Sequence, residues 1–321
     1  MKKIKVLSLV LAACLLVACF AGCTVSDVSE VMTVDGVSVT APEFKFYLDV
    51  AKSNLAGSLG GTLDSVDWEG FDIGEGKTAL DMIKENAYES LISAKAASAE
   101  AKKRNLSASA EELKTYEEYI VSMTAADKKA FLDKYDMPEE VLTVIATDMV
   151  LADKLNGEVS KDENISKELT EEEKENLVRA KHILVTFSKE DGTTITEEEA
   201  LAEANRIKGL ITNSNFDSLM AEYSEDPGSE SEPDGYTFYH GDGQFIEEFD
   251  NAAFALKVGE VSEPVKTSYG YHIIKRVEFD ASSDEAIELV KNKRSEDYLN
   301  KLNEDAKAKT VKNEKKIKKI K

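Results

Sequence analysis

The chain has 321 residues, of which 42% are hydrophobic and 32% are charged, and this composition is typical of a globular protein with room for about two domains. Lys and Arg number 40 against 62 Asp and Glu, so the formal net charge is -22. An acidic surface repels phosphate backbones, which argues against nucleic acid as a partner. All cysteines precede residue 24, which excludes a thiolate nucleophile, a thiolate metal site and an internal disulfide from the rest of the chain.

The N-terminus explains those cysteines. Lysines precede the apolar run 6–20, and small residues follow it up to Cys23. This layout is typical of a secretory signal, because the run is too short to span a bilayer comfortably. Its end resembles a bacterial lipoprotein signal, so residues 1–22 are predicted to be the signal peptide and Cys23 the lipidated residue. Cys19 and an uncleaved anchor remain alternatives, and each places the body outside the cytoplasmic membrane.

The next region is predicted to be largely helical. After a tether at 23–30, residues 31–40 alternate around Asp35-Gly36, which predicts a β-hairpin. Pro42 then opens a helical run, and the glycine-rich stretch 57–76 is predicted to be a loop in which Trp68 is a packing anchor. Apolar spacing and N-cap signals, with Ser107 or Ser109 as one cap, predict the remaining helices. These cover 78–105, 108–123, 125–135 and 139–155, and the domain is predicted to span 31–175.

The pattern then changes to short strands and helices. Strands are predicted at 180–187 and 236–239 and as a pair within 261–279, and helices at 197–212, 216–223 and 246–256, with a loop at 226–234. The order β-α-α-β-α-β-β predicts a small α+β domain at 176–280 with a mostly antiparallel sheet. A helix at 283–305 follows. The lysine-rich end of the segment 281–321 is interpreted as a solvated helix end, with attraction to anionic lipid or wall polymer as the alternative.

Two of the three histidines lie in predicted strands. Strand residues two apart share a face, so His182 lies with Leu184 and His272 with Ile274. If the two strands are neighbours, both imidazoles can meet on one face. Asp226, at the start of the acidic loop, is a plausible third polar member, and Gly270 permits a close backbone approach just before His272.

The third histidine, His240, is predicted to be an exposed loop residue. The three histidines lack the spacing of a zinc motif, so no metal or cofactor is predicted.

Four ordered motifs carry a family resemblance. RAKHILV, YSEDPGS, FDNAAFALKVGEVSEPVKT and YGYHIIKR make residues 177–279 similar to the parvulin-type peptidyl-prolyl isomerases. The resemblance implies a four-stranded, mostly antiparallel sheet with flanking helices. The lipoprotein signal, the helical region beginning VMTVDGVSVT and the trailing helix also resemble the extracytoplasmic foldase lipoproteins of the PrsA type, and more distantly the chaperone SurA. The N-terminal region is therefore expected to be chaperone-like.

The resemblance assigns roles to individual residues. The expected catalytic group is His182, Asp226 and His272. The residues expected to bind substrate are Phe245 and Phe249, which would line the proline pocket, and Thr267 and Tyr269 at its rim. The chain departs from the family at 232–236, where Gly-Gly-Asp-Leu-Gly is frequent, and at the extended loop 241–244.

These expectations favour a lipid-anchored prolyl isomerase that assists the folding of secreted proteins. Its partners would be unfolded or newly exported polypeptides with X-Pro bonds and the membrane, and the resemblance also leaves a homodimer open. A basic loop typical of phosphate-reading relatives is absent from the sequence 188–196, which has one lysine and two acids. The alternative is a non-enzymatic holdase chaperone with a weak or inactive parvulin domain. A solute-binding lipoprotein has no supporting α/β alternation.

Overall fold

The structure, a computed structural model, describes residues 29–58, 66–74, 76–189, 192–229 and 231–320. The predicted signal peptide, Cys19 and Cys23 lie outside these ranges. The chain forms two compact units: unit 1 comprises Met1–Leu155 and Lys301–Lys321, and unit 2 comprises Asn156–Asn300. Among the described residues, no helix combines the length and apolar character that crossing a membrane requires.

Unit 1 opens with the predicted hairpin. Strand β1 (Glu30–Val34) pairs antiparallel with β2 (Val37–Thr40). Asp35 and Gly36 between them have φ values of 46° and 81°, as a tight two-residue turn requires. Helix α1 (Ala41–Ser58) follows. Part of the predicted loop is instead a strand, β3 (Asp72–Gly74), which pairs with β4 (Lys77–Thr78). That pairing joins Asp72 to Thr78 and Gly74 to Lys77, and these polar residues and glycine carry no apolar alternation to predict it.

The predicted helices of unit 1 are confirmed. They are α2 (Ala79–Lys103), α3 (Ala110–Thr124), α4 (Lys128–Tyr135) and α5 (Glu139–Val159). Ser109, rather than Ser107, caps α3: its hydroxyl accepts from the Glu112 amide and the Glu112 carboxylate accepts from the Ser109 amide. Trp68 is half-buried and packs against the core formed by β1, α1 and α2, as predicted.

A buried ionic cluster links three helices of unit 1. The Lys95 ammonium on α2 lies 2.6 Å from Glu43 Oε1 on α1 and 2.6 Å from Asp148 Oδ2 on α5, and all three side chains are buried. Burial raises the pKa of Glu43, against the opposing attraction of Lys95. One buried cation therefore holds two buried carboxylates in place.

Unit 2 contains the predicted α+β domain. Its elements in chain order are α6 (Glu163–Ser166), α7 (Glu171–Glu175), β5 (Leu177–Thr186), α8 (Glu197–Lys208), α9 (Phe216–Tyr223), β6 (Tyr236–Tyr239), α10 (Glu247–Ala255), β7 (Val265–Lys266) and β8 (Gly270–Val277). The strands form a four-stranded sheet in the order β6-β5-β8-β7, with every pairing antiparallel. The fold class is therefore confirmed. Helices α6 and α7 were not predicted, because their segment is polar and has no apolar period.

Both faces of the sheet in unit 2 are covered by helices. On one face, Ile183 and Ile273 pack with α8 and with Phe216 of α9. On the other, Val178 and Ile274 pack with α10. His182 and His272 point to this second face, because side chains alternate along a strand.

The lysine-rich end of the chain differs from the prediction. Helix α11 (Asp284–Ala308) is followed by β9 (Val311–Lys312), which pairs with β1, and by α12 (Glu314–Ile317). Ile317 is 2% exposed, and it and Ile320 join the core of unit 1. The interpretation as a solvated helix end was wrong, because two isoleucines three residues apart share one face of a helical turn while the lysines face water.

Candidate active site

The two strand histidines meet through the register of β5 and β8. Leu184 lies opposite His272 and His182 lies opposite Ile274, so the histidines are diagonal neighbours on one face. Both side chains are buried, with ring centroids 5.1 Å apart. The register depends on Gly270, since a Cβ atom there would lie 2.1 Å from the Val185 carbonyl oxygen.

Asp226 approaches His182 from the segment that follows α9. Its Oδ2 atom lies 3.4 Å from His182 Nε2. The same oxygen accepts a hydrogen bond of 2.5 Å from the Tyr236 hydroxyl, and Oδ1 accepts one of 3.2 Å from the Gly228 amide. The structure thus brings the predicted third polar residue to the histidine pair.

Tyr236 was missed as a site residue, because the sequence suggested only that 232–236 departs from the family motif. The pairing of β5 with β6 shows why Tyr236 belongs to the site. Tyr236 lies opposite Ala180, which is two residues from His182 and on the same face of the sheet.

His272 is held by the β7–β8 hairpin. Its Nε2 atom lies 2.9 Å from the Thr267 hydroxyl, which also accepts a hydrogen bond from the Tyr269 amide. Thr267 is only 4% exposed, so its expected place at the rim was wrong: the tight hairpin turns its hydroxyl inward. Tyr269 is 66% exposed and lies at the mouth of the cavity.

An aromatic wall completes the site. The Phe249 ring on α10 is edge-on to both imidazoles, at 5.1 Å from His182 and 5.4 Å from His272. Phe245 stacks on Phe249 at 5.1 Å. One cavity of about 620 Å³ is lined by all seven residues predicted to be catalytic or substrate-binding: His182, Asp226, Phe245, Phe249, Thr267, Tyr269 and His272. Phe249 is both a core residue and a lining residue.

Burial sets the charge of the imidazoles. Burial and repulsion from His182 lower the pKa of His272 to about 3. Burial also lowers the pKa of His182, although Asp226 opposes the shift. Both rings are therefore neutral at pH 7. Within the described chain, their Nδ1 atoms are buried and have no hydrogen-bond partner in the protein.

His240 does not behave as the sequence predicted. Its Nδ1 lies 2.8 Å from Asp250 Oδ1, and its ring stacks on Phe254 with centroids 3.9 Å apart. The side chain is half-buried, so the prediction of an exposed loop residue was wrong: α10 supplies both partners. Across the ranges that the structure describes, no cluster of three or more His, Cys, Asp or Glu residues could hold a metal ion.

Comparison with known proteins identifies the class. Residues 163–279 match the PPIC-type PPIase domain, and residues 1–136 match the SurA-like N-terminal domain. Unit 2 thus contains a parvulin-type peptidyl-prolyl isomerase domain.

Two relatives, each covered over more than two thirds of its length, identify the family. The foldase protein PrsA of Caldanaerobacter subterraneus subsp. tengcongensis is 31% identical over 278 residues, covering 84% of this chain and 80% of that protein. PrsA of Halalkalibacterium halodurans is 30% identical over 251 residues, covering 71% and 68%. A crystal structure of PrsA from Bacillus subtilis is 25% identical and covers 76% of this chain and 92% of that chain, with a TM-score of 0.26. The chain belongs to the PrsA foldase family, and it is a peptidyl-prolyl isomerase that assists protein folding.

Proposed function

We propose that this isomerase works outside the cytoplasm, held to the outer face of a bacterial cell membrane by lipid on Cys23. There it would act on newly exported polypeptides with X-Pro bonds. The lipoprotein-like signal supports this proposal. Several acyl chains on one cysteine would anchor firmly, since each buried CH₂ contributes about 0.8 kcal/mol. Metabolic labelling with palmitate tests the site: Cys23→Ser should abolish incorporation and Cys19→Ser should not, and the reverse result would move the anchor to Cys19.

The proposed catalytic residues are His182, Asp226 and His272. Rotating the imide bond breaks no covalent bond but loses amide resonance, with a barrier of about 18–20 kcal/mol. The carrying observation is that two neutral imidazoles and a carboxylate meet an aromatic wall in one cavity. Such a site can exclude water around a proline ring and still offer fixed polar groups that favour the twisted imide over the planar one.

Each group has a distinct task in this proposal. Asp226 fixes the orientation of His182, and Thr267 fixes that of His272. Phe245 and Phe249 hold the proline ring, and Tyr269 contacts the substrate at the mouth of the cavity. Because Phe249 touches both imidazoles, the ring pocket and the polar network are held in one geometry.

The site assignment is tested by cis/trans exchange of an X-Pro peptide, with the chain lacking residues 1–23. His272→Ala and Asp226→Ala should each lower kcat/KM, on the order of 10²-fold if the remaining groups shift by about 1 Å. Lys315→Ala, an exposed change in unit 1, is the control and should retain the rate. Full activity of both site variants would refute the assignment.

Unit 1 supports a second candidate function, that of a holdase. Tyr119 and Met123 lie one turn apart on α3 and are both exposed, which gives an apolar contact for unfolded chains. Tyr119→Ser/Met123→Ser should weaken the suppression of client aggregation and leave X-Pro exchange unchanged. If the double variant suppresses client aggregation as well as the wild type does, α3 is not the holdase surface.

Sedimentation equilibrium tests the homodimer that the family resemblance leaves open.

A further inference from the structure

Tyr236 contacts one residue of the histidine pair, His182, and one residue of the aromatic wall, Phe245. Its ring is nearly parallel to that of His182, with an interplanar angle of 24° and centroids 5.7 Å apart. On another side it meets the ring of Phe245 at 5.6 Å. Tyr236 does not line the cavity itself. It therefore supports two lining residues from behind.

The Tyr236 hydroxyl occupies a space that only glycine leaves open at residue 228. A Cβ atom on Gly228 would lie 2.1 Å from that oxygen. Gly228 is not among the residues of the described chain with positive φ, so its backbone would accept alanine. The position of the Tyr236 hydroxyl, and not the backbone conformation, therefore accounts for glycine at residue 228. The Gly228 amide and the Tyr236 hydroxyl bind opposite oxygens of Asp226, at 3.2 and 2.5 Å.

We propose that Tyr236 is a positioning residue for the isomerisation, acting through Asp226 on His182. The proposal rests on the site assignment above. The hydroxyl donates to Oδ2, the oxygen that faces His182 Nε2, so it both fixes the carboxylate and takes up part of its negative charge. With less charge facing it, His182 stays neutral in the fixed orientation that the site requires.

The surrounding charges define the electrostatics of this contact. Asp226 acts on His182, and both of these residues act on His272. Asp226 and Glu232 act on Tyr236. Burial, the Asp226 hydrogen bond and these two acids raise the pKa of Tyr236. The phenol therefore remains a hydrogen-bond donor throughout the working pH range.

Tyr236→Phe removes the hydroxyl and keeps the ring. It should lower kcat/KM roughly tenfold, as loss of a hydrogen bond to a charged group does. The matched control is Tyr271→Phe, which removes a hydroxyl that donates to Glu197 at 3.2 Å on the other face of the sheet and should leave the rate unchanged. In Tyr236→Phe, the NMR titration of His182 should also move to higher pH, because the carboxylate then faces the ring alone. A purely structural role would lower activity without this shift.

Gly228→Ala provides an independent variant in which Tyr236 is intact. Its methyl group should displace the hydroxyl and lower kcat/KM in the wild-type background. In the Tyr236→Phe background the next ring atom is 3.3 Å away, so the same change should have little further effect. Additive losses, or a Tyr236→Phe rate within twofold of wild type, would overturn the proposal. If His272→Ala and Asp226→Ala are also fully active, the site assignment fails as well; if only the Tyr236 variants are active, the positioning role alone fails.

Discussion

Replacing His272 by glutamine should flatten the acid side of the stability curve of unit 2. In the folded protein the pKa of His272 is about 3, against an ordinary value of 6.5, because burial disfavours the charged ring. Between these two values the unfolded state binds more protons than the folded state. Stability from the neutral buried ring is therefore present above about pH 6.5 and is lost as the pH falls toward 3.

The shift between folded and unfolded pKa sets the magnitude. One pKa unit corresponds to about 1.4 kcal/mol, so the wild type should lose roughly 2–3 kcal/mol through His272 between pH 6.5 and pH 4.5. Glutamine does not titrate, so the variant should lose this much less over the same interval. Carboxylates and His182 titrate in both proteins and largely cancel in the comparison.

The measurement must report on unit 2. Trp68 is the single tryptophan of the chain and belongs to unit 1, so its fluorescence does not follow this unit. Hydrogen exchange of the 270–277 amides at increasing urea concentration gives the free energy of unfolding where β8 lies. The difference in the free energy of unfolding between wild type and His272→Gln should become smaller as the pH falls. Parallel curves from pH 6.5 to 4.5 would show that His272 is not held neutral by burial.

Three further predictions test the packing, one of them with a matched control. Lys95→Met should destabilise unit 1 by about 3–5 kcal/mol, because two buried carboxylates lose their cation; an unchanged urea midpoint by tryptophan fluorescence would contradict this. Ile317→Ala should cost about 2–4 kcal/mol in the same assay. Lys315→Ala, on the exposed side, should stay within about 0.5 kcal/mol, and equal effects of the two would argue against a buried tail. Gly235→Ala places a Cβ 2.7 Å from the Ala180 carbonyl oxygen at a φ of +91°, so it should cost at least about 1–3 kcal/mol by hydrogen exchange of 177–186.

Much of the secondary structure follows from local patterns. The predicted helix at 216–223 and the predicted strand at 236–239 match α9 and β6, because polar residues and Gly235 mark where the apolar runs begin and end. Strand alternation also predicted that His182 shares a face with Leu184 and that His272 shares a face with Ile274. In each case the information lies within a few residues of the chain.

The rest depends on partners distant in sequence. His240 was predicted to be exposed because nothing beside it shows that α10 supplies Asp250 and Phe254. Tyr236 and Gly228 form one feature, although the sequence shows the first only as the start of a predicted strand and the second only as a loop residue. The lysine-rich tail was misinterpreted because its charge is local, whereas the core that receives Ile317 is built from the beginning of the chain.

The pairing of β9 with β1 has a consequence for synthesis and export. Unit 1 is split in sequence, and residues 311–320 supply its third strand and two buried isoleucines. A chain that emerges from its N-terminus can therefore complete unit 2 while unit 1 still lacks these parts. Unit 1 is therefore the first to be synthesised in part and the last to be completed. A chain that ends after Ala308 should retain a folded isomerase domain beside an incomplete unit 1. Limited proteolysis of that shortened chain would reveal the order, since loss of unit 2 as well would contradict it.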